Sequence, residues 1–246
     1  QDLEFALQMF ENAVSRDPQF ALAHAAIASS CALFNQHFDR APDWIERAKA
    51  ASRKASALGS DSPDIRVAEA WILYAEGMFD EAIARVRRAI ERKPDVEGGY
   101  YLLGRALFAA GQYQEVVDLA EAAVAASGED YNVYVPLHNA LGALGKREAL
   151  RNAVQQRILV LEAHLRKSPE DARGRTLLAT DYAHVDRGDD AAREASLAMA
   201  LRPNDAMVMY NVACVFGQLG RKAEALEALR KAKDAGWKDA TWARRD

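Results

Sequence analysis

The sequence predicts an all-α protein made of a linear array of helix hairpins. Three observations predict it. Blocks beginning at Pro63, Glu97 and Tyr131 follow one another at 34 residues, and blocks beginning at Ala172 and Ala206 repeat that spacing. Most blocks carry an apolar stretch with helical spacing, then a glycine, then an Ala-rich amphipathic stretch. The composition agrees: half of the 246 residues are hydrophobic, 28% are charged, and only 7 are proline. That is a folded, helix-rich balance with enough charge to keep the exterior wetted. A hairpin of this length cannot bury its apolar face alone, so neighbours must stack.

The elements follow in order. Residues 1–20 fit a half repeat, a second helix alone, with Leu3, Ala6, Phe10, Ala13 and Pro18 at the expected places. Repeat 1 (21–62) is stretched to 42 residues. Its surplus is expected between the helices, from Phe34 to Asp43, with Pro42 opening the second helix. Repeat 2 (63–96) carries Ala70, Leu73, Gly77, Phe79, Ala82, Ala89 and Pro94. Repeat 3 (97–130) is the clearest, with Tyr100, Leu103, Gly104, Leu107, Gly111, Tyr113, Ala120 and Ala123. Leu103 and Leu107 lie four apart and share a face. Gly104 lets the partner helix approach closely, and Gly111 ends the first helix where a left-handed residue is cheap. Repeat 4 (131–171) is also stretched, to 41 residues. Its seven extra residues, about two turns, are placed in a long second helix over 146–167. Pro136 is expected to start the first helix of that repeat late, or to kink it. Repeat 5 (172–205) keeps Leu178, Ala179, Tyr182, Ala191, Ala198 and Pro203, but its turn around Gly188 comes late, which predicts a longer first helix. Repeat 6 (206–239) keeps Val212, Ala213, Phe216, Gly220, Ala225, Leu229 and Ala232, with Trp237 where a proline is expected. Residues 240–246 form a short tail.

These blocks resemble the tetratricopeptide repeat family over nearly the whole chain. The resemblance implies a right-handed superhelical solenoid in which first helices line a concave groove and second helices form the outer wall. The closing stretch, Tyr210-Asn211-Val212-Ala213-Cys214 through Leu219-Gly220-Arg221 to Trp242-Ala243-Arg244-Arg245-Asp246, resembles the end of such arrays in bacterial multidomain signalling proteins. Those arrays follow a protein kinase, a nucleotide cyclase or a TolB-like domain. The start at Gln1 and the end at Asp246 are read as those of a piece of a longer protein.

Several function classes are disfavoured. The net charge is −4, and basic runs such as Arg85-Val86-Arg87-Arg88 alternate with Asp80, Glu81 and Glu91, which reads as a solvated helix face and not a nucleic-acid surface. No apolar run is long enough to span a bilayer. The two cysteines, Cys31 and Cys214, fall in the first and last full repeats, too far apart in a linear stack for a disulfide. A cytoplasmic location is expected. The histidines His24, His37, His138, His164 and His184 show no zinc-ligand spacing, and Gly98-Gly99 lacks the rest of a dinucleotide fingerprint. His184 lies near Asp181 and Asp186 in sequence, but a surface histidine at a helix end is the simpler reading. No catalytic site, cofactor or metal is expected in this segment.

The resemblance implies a protein or peptide partner in the groove. Carrying the family's groove positions across selects Trp71, Tyr74, Tyr101, Arg105 and Phe108, then Asn139, Arg173, Tyr210 and Asn211. Trp71 and Phe108 are open to the other reading, packing against adjacent repeats. Arg105 is suited to forking onto a carboxylate, and Asn139 to bonding a peptide backbone. The carboxylate clamp of chaperone-binding relatives needs a lysine at the fifth position. Here those positions hold Ala25, Val67, Tyr101, Val135, Thr176 and Tyr210, so a chaperone tail is not the expected ligand. The competing expectation is a self-association or spacer domain, because Leu3, Leu7, Phe10 and Val14 of the half repeat are short of a partner. A base-reading helical-repeat code is disfavoured by the acidic balance and the 34-residue period.

Overall fold

A computed structural model describes residues 2–37, 41–59 and 62–237, and the described residues contain helices and turns but no strand. The tail 240–246 lies outside them. The chain divides into two compact units. Unit 1 holds the residues up to Gly128 together with Val135–Leu144, and unit 2 holds Glu129–Tyr134 and the residues from Gly145 onward.

In unit 1, a lone helix α1 (Asp2–Arg16) precedes the hairpins α2 (Ala21–His37)/α3 (Pro42–Gly59) and α4 (Pro63–Ala75)/α5 (Phe79–Arg92). Then comes α6 (Gly99–Ala109), whose partner is interrupted into α7 (Tyr113–Asp118) and α8 (Ala120–Ser127), and α9 (Tyr134–Ala143) ends the unit. Unit 2 holds a 3-10 turn (Tyr131–Val133), the long α10 (Arg147–Lys167), and the hairpins α11 (Ala172–His184)/α12 (Gly188–Leu201) and α13 (Ala206–Gln218)/α14 (Lys222–Asp234). Within each unit, first helices touch the next first helix, α2 on α4 and α4 on α6, and α11 on α13. Second helices instead lean on the following first helix, α3 on α4, α5 on α6, α10 on α11 and α12 on α13. The first helices therefore make up one face of each stack.

Small side chains permit this stacking. Ala28, Ala32, Ala48, Ala70, Ala82, Ala89 and Ala106 are fully buried in unit 1, as are Ala179, Ala191, Ala195 and Ala198 in unit 2. Larger side chains such as Ile65, Leu102 and Leu107 fill the spaces between them in unit 1, as Leu161, Met209 and Phe216 do in unit 2. Cys31 is enclosed in the first of these cores, where burial pushes its thiol up to about 11 and leaves it protonated. Neither cysteine is in a disulfide.

One turn design recurs. After the first helix, a residue at positive φ is followed by an N–H that reaches back five residues: Met78 to Leu73, Gln112 to Leu107 and Arg221 to Phe216, each at 2.9 Å. Gly77, Gly111 and Gly220 supply the positive φ, as does Gly145 before α10. In repeat 5 the same bond runs from Arg187 to the Tyr182 carbonyl at 2.8 Å, and the positive-φ residue is Asp186, at 61°. This corrects the expected late turn around Gly188: the turn is centred on Asp186, and Gly188 is the first residue of α12. It also corrects the expected longer first helix, since α11 has 13 residues, as α4 and α13 do. A non-glycine residue held at left-handed φ is strained, although Asp tolerates the position better than most. Asp186→Gly is therefore expected to stabilise the chain by about 0.5–1 kcal/mol, the relieved strain less the added freedom of the unfolded chain. Thermal melting followed by circular dichroism measures this, and an unchanged or lower midpoint contradicts the assignment.

Other expectations meet the structure in detail. The second helix of repeat 4 is long, as predicted, with 21 residues against 14 in α5 and α12. Pro136 sits in the first turn of α9, behind the 3-10 turn, so the helix begins late. The surplus of repeat 1 is not simply a loop between its helices. α2 runs on to His37 and has 17 residues, and α3 starts at Pro42 as expected and has 18. Residues 38–40, in the middle of the expected insert, lie outside the described residues. The second helix of repeat 3 breaks at Leu119, whose backbone stays helical and whose N–H still reaches the Glu115 carbonyl at 3.1 Å.

Candidate functional site

The candidate groove residues separate by unit. In unit 1, α4 carries Trp71 and Tyr74 and α6 carries Tyr101, Arg105 and Phe108. Because α4 packs on α6, four of these five meet. Arg105 is the centre. Its Nη1 donates to the Tyr101 hydroxyl at 3.0 Å, while Nε and Nη2 donate to the Tyr74 hydroxyl at 3.3 and 3.1 Å. The guanidinium carbon also lies 5.2 Å from the Tyr74 ring centre, 5.6 Å from that of Tyr101 and 6.0 Å from that of Trp71. The rings brace one another: Trp71 meets Tyr74 edge-on at 5.8 Å and Tyr101 at 5.9 Å, and Tyr74 leans on Phe79 at 5.6 Å.

Exposure then sorts the candidates. Tyr74, Tyr101, Arg105 and Phe108 are half-buried, so each keeps a surface. Trp71 is a correction. At 5% exposure it is a core residue, and its role is to support the tyrosines from beneath. Phe108 packs at 5.0 Å on Tyr113 of the following helix, one turn along α6 from Arg105. Asn139 is exposed on α9.

In unit 2, Arg173 is exposed and donates to the Asn132 side-chain oxygen at 3.3 and 3.1 Å. Tyr210 is a second correction. It is 5% exposed because Trp237 stacks flat on it, with ring centres 4.4 Å apart and planes 10° apart. Trp237 stands where the repeat pattern expects proline, and its larger ring covers the tyrosine. Asn211, beside it in sequence, is half-buried. His184 is exposed, with Nδ1 at 2.8 Å from the Thr180 carbonyl.

Sequence reasoning missed the charges inside unit 2. Arg157 of α10 and Asp181 of α11 are 4% and 1% exposed, and form a two-bond fork at 2.7 and 2.6 Å. Burial pushes the Asp181 carboxyl up, opposed by the hydrogen bonds and charge of Arg157. Arg175 pairs with Glu194 at 2.5 Å, both largely buried. Next to them is an open cleft of about 270 Å³ lined by Glu162, Leu165, Arg166, Arg175, Leu178, Tyr182 and Glu194. The only sequence signal was a charged residue at a position where the helix pattern expects an apolar one.

Among the described residues no group of three His, Cys, Asp or Glu side chains is placed to hold a metal ion, and no helix is long and apolar enough to cross a membrane.

Comparison with known proteins now bears on this geometry. Two stretches, residues 73–141 and 208–235, match models described as tetratricopeptide repeat. The chain carries the tetratricopeptide-repeat fold. Solved structures agree. TTC0263, a thermophilic TPR protein of Thermus thermophilus, is 24% identical, with a TM-score of 0.59 over 75% of this chain and 96% of its own. The Cut9–Hcn1 hetero-tetramer of the APC/C matches at 17% identity and a TM-score of 0.62, over 99% of this chain and 45% of that one. At these identities the likeness is one of fold. No curated protein matches the sequence at a significant level. The first of the two tetratricopeptide stretches spans α5 and α6 whole and includes Tyr74, Tyr101, Arg105 and Phe108.

Proposed function

We propose that this chain is a protein-interaction scaffold that captures a peptide or partner helix on the face made by its first helices, as the regulatory or adaptor part of a larger bacterial protein. One observation carries the reading. Tyr74, Tyr101 and Arg105 gather on adjacent first helices of unit 1, half-buried and braced by a buried tryptophan, with Phe108 half-buried one turn along α6. Rigid aromatic side chains with a central arginine match the composition of binding hot spots. Because their rings already pack together, little rotamer freedom is left to lose on binding.

The test is a selection of peptides from a random displayed library on the full chain. Peptides chosen by the wild-type protein are expected to bind at least about tenfold more weakly to the Tyr101→Ala/Arg105→Ala double variant, at unchanged helicity. Equal binding by the two proteins rules out this face.

A second reading, a self-association or spacer domain, has an observation of its own. The residues expected to lack a partner on α1 are not the exposed ones: Leu7 is 5% exposed, and Leu3, Phe10 and Val14 are half-buried. Phe5 and Met9, four residues apart and so on one face, are 64% and 50% exposed. Sedimentation equilibrium decides here: a single monomer mass at all concentrations removes self-association through α1.

A further inference from the structure

We propose that α14 carries a docking surface of its own, for an amphipathic helix of a partner protein with acidic residues at both ends of its apolar stripe. This does not depend on the first-helix face of unit 1. A spacing shows the surface. Second helices lean on the following first helix through four places, i, i+4, i+7 and i+11, which share one face. In α10 these are Val154, Ile158, Leu161 and Leu165, all buried. In α1, α5 and α12 the same places, beginning at Leu3, Phe79 and Gly188, hold no charged residue, and none is exposed. The contacts are direct. The last place meets the first turn of the next first helix: a Cβ on Gly99 of α6 would lie 3.2 Å from Ile90, and one on Gly174 of α11 would lie 3.4 Å from Leu165. The first place meets the far end of that helix, where a Cβ on Gly188 would lie 3.5 Å from Leu219, the residue that closes α13.

In α14 the four places hold Lys222, Leu226, Leu229 and Lys233, and all four are exposed, Leu226 by 45% and Leu229 by 37%. Wetting a terminal helix favours polar residues at every outward place, yet leucines stand where the covered α12 has Ala192 and Ala195. The apolar middle of a helix seat is kept and its ends are charged. Charge then selects the occupant. On α14, Glu224 pairs with Arg221 and Glu227 with Lys231 at 2.9 Å, while Asp234 lies off the stripe at the last position. Among the described residues the side chains of Lys222, Lys233 and the exposed Arg230, four residues from Leu226, make no ion pair. The first helices α2, α6 and α13, which cover α1, α5 and α12, contain no Asp or Glu. A further helix of that kind would leave both lysines unanswered. A partner helix seated in the same direction brings its first turn to Lys233 and its last turn to Lys222. An acid in that first turn answers Lys233 and also suits the helix dipole, and an acid in the last turn answers Lys222.

The probe is a fluorescein-labelled peptide with leucines at helical spacing and a pair of glutamates beyond each end of them, titrated into the full chain by fluorescence anisotropy. Versions with glutamine or lysine for glutamate are titrated beside it. The glutamate peptide is expected to bind wild type about fivefold more tightly than the glutamine peptide at low salt, and the lysine peptide most weakly. Leu226→Ser/Leu229→Ser is expected to weaken the glutamate peptide about tenfold or more at unchanged helicity. Leu159→Ser, at a leucine of α10 that is 68% exposed, is expected to change nothing; an equal loss there marks unspecific adhesion and overturns the site. Lys222→Glu/Lys233→Glu is expected to reverse the order, so that the lysine peptide binds more tightly than the glutamate peptide. A preference that is absent or does not reverse overturns the acidic partner. Binding that is lost in Tyr101→Ala/Arg105→Ala and kept in the α14 variants belongs to the face of unit 1 and overturns the α14 site alone. A wild-type dimer in sedimentation equilibrium that Leu226→Ser/Leu229→Ser returns to monomer makes the occupant a second copy and overturns the partner helix. If none of the peptides binds wild type, the proposal falls.

Discussion

Replacing Arg157 with methionine is expected to destabilise the chain by about 3–5 kcal/mol, more than any other single change discussed for this fold. Methionine restores much of the volume, so the loss is not mainly a cavity. It comes from Asp181, which is 1% exposed and would keep a buried carboxylate after losing the bidentate fork at 2.7 and 2.6 Å. The sign with pH follows from the titration. Burial raises the Asp181 carboxyl above its unfolded value even with Arg157 present, and removing Arg157 removes influences that lower it. A raised folded pKa means that the folded state binds the proton more readily. Its contribution to stability is then fully present below the unfolded pKa and lost as pH rises through the folded one. The deficit of Arg157→Met relative to wild type is therefore largest at neutral pH and shrinks in acid, where the variant protonates Asp181. Urea titrations at neutral and mildly acidic pH measure this; a deficit that grows in acid contradicts it. The double change Arg157→Met/Asp181→Leu removes both charges and is expected to recover most of the loss, since apolar replacements of buried pairs are often neutral or better.

The repeat period and the hairpin order were legible because they arise from local chemistry. Helical spacing of apolar residues, a glycine at the turn and small residues at close contacts all leave marks within a 34-residue window. The turn in repeat 5 was misread because Asp186 takes a backbone conformation that glycine takes elsewhere, and a nearby glycine, Gly188, drew the assignment two residues too far. What fixes that turn is the bond from Arg187 to the Tyr182 carbonyl, which residue type alone does not reveal. Capping aspartates offered a better signal. Asp171 and Asp205 each accept backbone N–H bonds at the start of a first helix, one residue before the repeat boundaries drawn at Ala172 and Ala206. The site was harder. Groove positions carried over from a family assume that every position in the register has the same surroundings. That assumption is compatible with the surface that the half-buried Tyr74 and Tyr101 keep. It fails for Tyr210, since Trp237 replaces a small ring with a large one, and for Trp71, which two tyrosines and an arginine cover. Contacts between side chains far apart in sequence decide exposure, and periodicity does not carry them. The Arg157–Asp181 pair, 24 residues apart in sequence, is the extreme case.

Replacing Gly104 with leucine is expected to cost on the order of 1–3 kcal/mol through overpacking. The sequence pattern assigns Gly104 to the approach of its own partner helix, but the nearest obstacle belongs to the next repeat. A Cβ at position 104 would lie 2.7 Å from Cγ and 3.0 Å from Cβ of Pro136, with Val116 of the hairpin partner only at 4.0 Å. Pro136 is a poor neighbour to displace. Its ring has no rotamer by which to swing away, and it sits in the first turn of α9, so relief requires the helix itself to shift. Two further substitutions separate this explanation from a helix-propensity effect. Gly104→Ala adds only the Cβ; propensity alone makes it stabilising in a helix interior by about 1 kcal/mol, whereas the contact with Pro136 makes it destabilising. Pro136→Ala opens the space, and in that background Gly104→Ala is expected to become neutral or favourable. The non-additivity in this double-mutant cycle, read from urea midpoints at constant slope, measures the Gly104–Pro136 contact directly. Additive effects would mean that the two residues do not meet, and would remove α9 from the position it holds against α6.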